Sequence, residues 1–250
     1  MNYALQTRNL VKKFGGLVAS DDVTLNIAAG ARQALIGPNG AGKTTLVNLL
    51  SGYLRPTAGQ VILGGGDVTR LTQHQRVKRG LARTFQINRL FADFTVLESV
   101  TLAVCERRGL GACWWKPASA HAGAIDAAAR LIERLRLADV ANETTRNLPY
   151  GKQRLLEIAL ALAAEPRVLL LDEPAAGVPT AESRELFETI AALPREVTIV
   201  LIEHDMDLVF RFADRISVLV GGALLIEDVP EVIARDSRVR QLYLGEAGHG

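Results

Sequence analysis

Gly37-Pro38-Asn39-Gly40-Ala41-Gly42-Lys43-Thr44-Thr45 is the stretch on which the reading of this chain turns. It matches GxxxxGK[ST], a glycine-rich loop that cradles phosphate. Glycines let backbone N–H groups converge on phosphate oxygens with no Cβ in the way. The apolar run Gln33–Ile36 precedes it and reads as a buried strand, and Thr45–Leu50 follows with a helical pattern. A helix start adds partial positive charge at that point. Lys43 is then placed to reach the β- and γ-phosphates, and Thr44 to ligate Mg²⁺. A chance glycine-rich turn would share the letters without both flanks.

A second signal is Val168–Leu171 followed by Asp172-Glu173-Pro174. A buried strand ending in two carboxylates sets them at the edge where α/β sheets bind ligands. Asp172 is expected to hold Mg²⁺, directly or through water, and Glu173 to act as general base on an attacking water. Alone, such a pair is equally a solvated acidic turn; beside a phosphate loop it supplies the second half of the site.

Working outward, strand and helix patterns alternate, which predicts an α/β protein with a largely parallel sheet. Val197–Ile202 is a third apolar strand run. Leu186, Phe187, Ile190 and Leu193 keep helical spacing before Pro194, as do Leu131, Ile132 and Leu135. Residues 5–30 and 60–70 read as antiparallel strands, and Ile216–Val220, Gly221-Gly222 and Ala223–Ile226 as a hairpin. Residues 87–160 are mostly helical. The expected division is therefore 1–86 with 161–250 as a nucleotide-binding core with an antiparallel β subdomain, and 87–160 as an inserted helical subdomain. Residues 106–123, with Trp114 and Trp115, read as a loop whose tryptophans pack locally or contact a partner or membrane surface; residues 246–250 read as frayed.

The composition excludes several classes. Of 250 residues, 48% are hydrophobic and 22% charged, enough for a core and too apolar for disorder. With 29 Lys+Arg against 27 Asp+Glu, the net charge of +2 gives no general reason to bind nucleic acid. The basic run Arg70, Arg76, Lys78, Arg79 and Arg83 reads as a solvated helix face, because no aromatics interleave with it. A membrane span needs ~20 apolar residues. The longest such run, Ile216–Ile226, is broken by two glycines, and Met1–Phe14 lacks a signal peptide's continuous apolar stretch. Cys105 and Cys113 have no CxxC spacing, which favours a reduced compartment. His74, His121, His204 and His249 are dispersed, unlike metal ligands.

Taken in order, these motifs resemble the ATP-binding subunits of ABC transporters over residues 5–245. The resemblance implies a P-loop NTPase (RecA-like) core of the ABC ATPase type, with Gly37, Pro38, Asn39, Gly40, Ala41, Gly42, Lys43, Thr44 and Thr45 binding ATP. It gives Phe14 the place of an aromatic that stacks on adenine, the alternative being a core residue of the antiparallel sheet. Gln86, in Arg83-Thr84-Phe85-Gln86, matches a switch glutamine that meets Mg²⁺ and the attacking water. His204, in Glu203-His204-Asp205, matches a switch histidine at the γ-phosphate. Leu148-Pro149-Tyr150-Gly151-Lys152-Gln153 stands where the family carries LSGGQ, so Tyr150, Gly151 and Lys152 are implied to cap the γ-phosphate of ATP on an opposite subunit. Pro149 replaces the serine hydroxyl there, and Lys152 is a candidate substitute charge. Pro179 stands where the family usually has an interfacial aspartate, whose role is not carried over.

Phe14–Ala19, Ala82–Gln86, Arg89–Phe91, Leu148–Gly151, Glu173–Gly177, Ile202–Met206 and Tyr243–Glu246 are similar to one subfamily, the ATPases of bacterial branched-chain amino-acid-type importers. That implies an ATPase on the cytoplasmic face of the inner membrane, two transmembrane permease subunits, a second ATP-binding subunit (identical or related) and, indirectly, an external solute-binding protein. Ile87, Leu90, Phe91, Phe94, Val96 and Leu97 are then either core or the floor of a groove for a membrane-subunit helix. The alternatives are the ATPase of an envelope-lipid exporter, a soluble non-transport ABC ATPase, and a nucleotide-gated interaction module.

Overall fold

The computed structural model describes residues 2–84, 91–110 and 122–244. Along the chain, β1 (Tyr3–Phe14) and β2 (Leu17–Ala28) form a hairpin. Next come β3 (Arg32–Ile36), α1 (Lys43–Ser51), β4 (Ala58–Leu63), β5 (Gly66–Asp67), α2 (Gln73–Val77) and β6 (Leu81–Arg83). The helices α3 (Val96–Arg107), α4 (Ala122–Arg134) and α5 (Tyr150–Ala163) precede β7 (Val168–Asp172), α6 (Thr180–Ala191) and β8 (Thr198–Ile202). The chain continues through α7 (Met206–Phe212), β9 (Arg215–Val220), β10 (Ala223–Asp228), α8 (Pro230–Arg235) and α9 (Ser237–Leu244).

The described residues fall into two compact units. The first takes them from Met1–Arg83, Arg167–Glu173 and Arg195–Gly250. It holds a six-stranded sheet ordered β10-β9-β3-β8-β7-β6 and a four-stranded antiparallel sheet ordered β2-β1-β4-β5. In the larger sheet β9, β3, β8, β7 and β6 run parallel, and β10 closes the hairpin expected at Gly221-Gly222. Every residue of β3, β7 and β8 is buried. This accounts for their uninterrupted apolar sequences, because helices and the second sheet cover both faces. The six-residue spread of Leu35, Leu46, Leu49, Leu50, Leu170 and Val200 shows the core running from the central sheet into α1. β6 was not foreseen: three residues, Leu81-Ala82-Arg83, are too short to show a period, and only pairing with β7 makes them a strand.

The second unit takes the described residues of Thr84–Pro166 and Pro174–Pro194. α3 packs on α4 and α5, and α5 packs on α6. A capping box starts α3: Thr95 accepts from the Glu98 N–H, and the Glu98 carboxylate accepts from the Thr95 N–H. α6, placed with the core from sequence, groups here; it packs on α5, and Glu182 in its first turn accepts from the Gly151 N–H in the first turn of α5. Among the described residues, no helix is long and apolar enough to cross a membrane.

Candidate functional site

The sheet register brings three motifs to one edge. Leu35 on β3 lies opposite Ile202 on β8, and Ile202 lies opposite Asp172 on β7. The three strands therefore end together. Gly37, Glu203-His204 and Asp172-Glu173 follow at their carboxyl ends, where α/β sheets take ligands.

The loop at the end of β3 fits only glycine at two points. A Cβ on Gly37 would stand 2.2 Å from the Leu219 carbonyl oxygen, and one on Gly42 2.5 Å from that of Ala19. Gly42 is also the N-cap of α1, at φ 96°. It offers no side-chain cap, and α1 has no acidic residue in its first turn. The helix start is thus open to an external anion. The Lys43 ammonium folds back over the loop, donating to the carbonyls of Gly37 at 2.5 Å and Pro38 at 3.0 Å. Ala41 is buried, Pro38 and Thr45 are half-buried, and Asn39, Gly40 and Thr44 are exposed.

At the end of β7, Asp172 is 5% exposed and forms an ion pair of 2.6 Å with Arg83 at the end of β6. The same guanidinium donates to Asn48 Oδ1 at 2.6 Å and Ser51 Oγ at 3.4 Å on α1. Arg83 therefore ties the phosphate-loop helix to the acidic strand. Glu173 has φ 47°, a left-handed conformation costing a non-glycine residue about 1 kcal/mol or more. It is held there in part by its N–H, which donates to the Ile202 carbonyl at 2.9 Å. The oxygen donors of Thr44 and Asp172 suit Mg²⁺, which is commonly held by one or two such groups plus phosphate oxygens.

At the end of β8, the His204 side chain is 69% exposed. Behind it, the Glu203 carboxylate is 1% exposed, accepts from the His204 N–H at 3.1 Å and lies 3.6 Å from His204 Nδ1. Sequence reasoning missed Glu203; a carboxylate directly beside a candidate histidine was the available signal. Phe14 is 46% exposed at the β1–β2 hairpin, with Lys12 Nζ 4.9 Å from its ring centre. The alternative of a core phenylalanine is therefore overturned, since a core residue is buried and this one is not.

The basic run needs a correction. Arg76 is wholly buried, not solvated. It donates to the carbonyls of Leu49 and Leu50 in the last turn of α1, and to those of Leu71 and Thr69. Burial pulls its pKa down to about 10. It caps the phosphate-loop helix at the opposite end from the loop. Arg83 is also largely covered, with its guanidinium paired to Asp172.

In the second unit, Pro149 is the N-cap of α5 and supplies no side-chain bond. The Gly151 N–H donates to Glu182 Oε2 on α6 at 2.9 Å. Lys152 donates to the Arg136 carbonyl at 2.6 Å and to Asp139 Oδ1 at 3.3 Å, so its charge is engaged inside the unit. The Tyr150 ring lies against Gly177 and beneath the Arg154 guanidinium. Phe91 and Phe94 are exposed and stacked, with ring centres 5.2 Å apart, whereas Val96 is buried. Gln86, with Ile87, Arg89, Leu90, Cys113, Trp114, Trp115, His121 and His249, lies outside the described residues.

Comparison with known proteins gives the family. The family model for ABC transporter matches residues 20–176. The chain is 42% identical to the high-affinity branched-chain amino acid transport ATP-binding protein LivG of Escherichia coli, covering 97% of this chain and 98% of that one. It is 40% identical, over the same shares, to BraF of Pseudomonas aeruginosa, which carries the same description. Among solved structures it resembles the ADP conformation of MJ1267, an ATP-binding cassette of an ABC transporter. That match has a TM-score of 0.83 and 28% identity, over 98% of this chain and 99% of the other.

Proposed function

This chain belongs to the ABC transporter family as an ATP-binding, ATP-hydrolysing subunit of an importer, and we propose that it drives uptake of branched-chain amino acids or related small solutes through separate membrane subunits. The observation that carries the hydrolytic chemistry is the register that ends β3, β8 and β7 together, with Lys43, His204 and Glu173 just beyond. The solute class rests on the likeness to LivG along nearly the whole chain. That likeness also counts against the lipid-exporter and soluble readings.

In this reading Phe14 stacks on adenine, and the N–H groups of Gly37–Thr45 enclose the β- and γ-phosphates. Lys43 exchanges its bonds to the Gly37 and Pro38 carbonyls for phosphate oxygens. Thr44, Asp172 and Gln86 would hold Mg²⁺, which when bound would neutralise negative charge on the phosphates. Glu173 takes the proton of the attacking water at its carboxylate. His204 and Gln86 orient that water, and His204 also contacts the γ-phosphate. A second cassette presents its own Tyr150-Gly151-Lys152 to the same ATP. There the backbone does the work, because Lys152 is already held by the Arg136 carbonyl.

Apart from 161–166 and 174–194, which group with the second unit, the division into a core of 1–86 and 161–250 and a signature-bearing insertion of 87–160 belongs to the same proposal. So does a peripheral place on the cytoplasmic face of the inner membrane. The exposed Phe91–Phe94 pair supports docking of a membrane-subunit helix near that surface.

Lys43→Ala is expected to weaken binding of a fluorescent ATP analogue by about 10- to 100-fold, the loss of one or two charge-assisted hydrogen bonds. An unchanged dissociation constant would remove Lys43 from the site. The test of the whole reading is co-purification of the tagged chain from its native membranes, with mass spectrometry of what accompanies it. Multi-span membrane subunits, with or without a second cassette, are expected. A chain recovered only with ribosomes, with DNA or alone would end the transport claim and leave the ATPase.

A further inference from the structure

Tyr150, Arg154 and Glu157 are spaced four and three residues apart on α5, so they share one side of the helix. Arg154 is 5% exposed. One of its terminal nitrogens donates to Glu157 Oε2 at 2.9 Å, and the other to the Ala176 carbonyl at 3.3 Å. Its guanidinium carbon lies 5.1 Å from the centre of the Tyr150 ring. That ring also meets Gly177, where a Cβ would stand 3.3 Å from ring Cε1. Glu182 adds its bond to the Gly151 N–H. Residues 176–182 are thus fastened to the start of α5 at three points.

We propose that Arg154 is a positioning residue for ATP hydrolysis, holding the Ala176–Gly177 loop, which begins three residues after Glu173, in fixed relation to the helix start that carries Tyr150 and Gly151. The proposal rests on the ATPase reading above. A buried ion pair is a poor way to gain stability, because apolar residues of similar volume commonly do as well or better. Burial pushes the Glu157 carboxyl up in pKa, and its bond to Arg154 only opposes this. What an apolar pair cannot do is donate to the Ala176 carbonyl. A planar guanidinium donates there, pairs with Glu157 and covers the tyrosine ring at once; an ammonium is a point charge and does not. This also explains a tyrosine where the family usually has glycine: its ring is a platform between Arg154 and Gly177. The loop and the helix start then meet a second cassette as one piece.

Two full-length variants test this. Arg154→Lys keeps the charge beside Glu157. Arg154→Met/Glu157→Leu removes the pair without stranding a buried carboxylate. Phosphate release, affinity for a fluorescent ATP analogue, Tm and hydrogen exchange of the peptide 174–186 are measured beside wild type and Glu173→Gln. Both variants are expected to keep nucleotide affinity within about twofold and Tm within about 5 °C. Both should lose about tenfold or more in kcat, as misplaced reacting groups do, with faster exchange in 174–186. Wild-type kcat in both would overturn the proposal. Parallel loss of Tm, affinity and kcat in both would also overturn it, leaving Arg154 a purely structural residue. A wild type no faster than Glu173→Gln would overturn the ATPase reading together with this one, whereas fully active Arg154 variants beside a Glu173-dependent wild type would overturn this one alone.

Discussion

Glu173→Gln is expected to slow phosphate release by about a hundredfold or more, the typical contribution of a placed general base. ATP binding should be unchanged. The argument runs from the backbone outward. Glu173 is half-buried, sits in a left-handed conformation and has its N–H fixed to the Ile202 carbonyl. Glutamine has the same length and meets the same backbone demand, so the substitution removes the proton acceptor while keeping the shape of the side chain. The phosphate contacts proposed above lie on the loop between β3 and α1, which it leaves alone. Bound ATP should therefore persist unhydrolysed, and if two cassettes close on it, size-exclusion chromatography with ATP should show more dimer for the variant than for wild type. Equal phosphate release by the two proteins would end the claim that Glu173 is the base. A variant that fails to bind nucleotide would show that Glu173 supports the loop rather than the water.

The parts of this site that could be read from sequence are those whose chemistry is local. Gly37–Thr45 announces a tight loop and a helix start within nine consecutive letters, with a strand run directly before it, and Asp172-Glu173 ends an apolar run that reads as a covered strand. The structure adds what locality cannot carry. Arg83 stands 89 residues from Asp172 in sequence, and only the pairing of β6 with β7 makes them neighbours. Arg76 looked like one more surface charge because its partners are backbone carbonyls, which leave no trace in composition. Glu203 was hidden by the histidine after it. Tyr150 and Lys152 were judged by the residues they replace, although their surroundings, Gly177, Arg154 and the Arg136 carbonyl, are what explain them. Phe14 kept a core role as its alternative on paper, and its exposure at the hairpin is what removes that alternative.

Arg83 carries the other large effect. Arg83→Met leaves the Asp172 carboxylate buried without its cation, and Asn48 Oδ1 without a donor. Breaking one side of a buried ion pair costs about 3–5 kcal/mol. In a chain of this size each kcal/mol moves Tm by about 2–4 °C, so a drop on the order of 10 °C is expected in calorimetry. Arg83→Lys keeps a charge but not a fork able to reach β7 and α1 together, so it should fall between wild type and Arg83→Met. Arg83→Met/Asp172→Asn removes the stranded charge and should recover part of the loss; with wild type, Arg83→Met and Asp172→Asn alone it completes a cycle that gives a coupling energy. The expectation has a functional side as well. Asp172 Oδ2 is the atom bonded to Arg83, which holds the carboxylate in one orientation. Arg83→Lys should therefore raise the Mg²⁺ concentration needed for half-maximal phosphate release more than it alters nucleotide affinity measured without Mg²⁺. A Tm for Arg83→Met within about 2 °C of wild type would mean that water, not the guanidinium, satisfies Asp172 in solution.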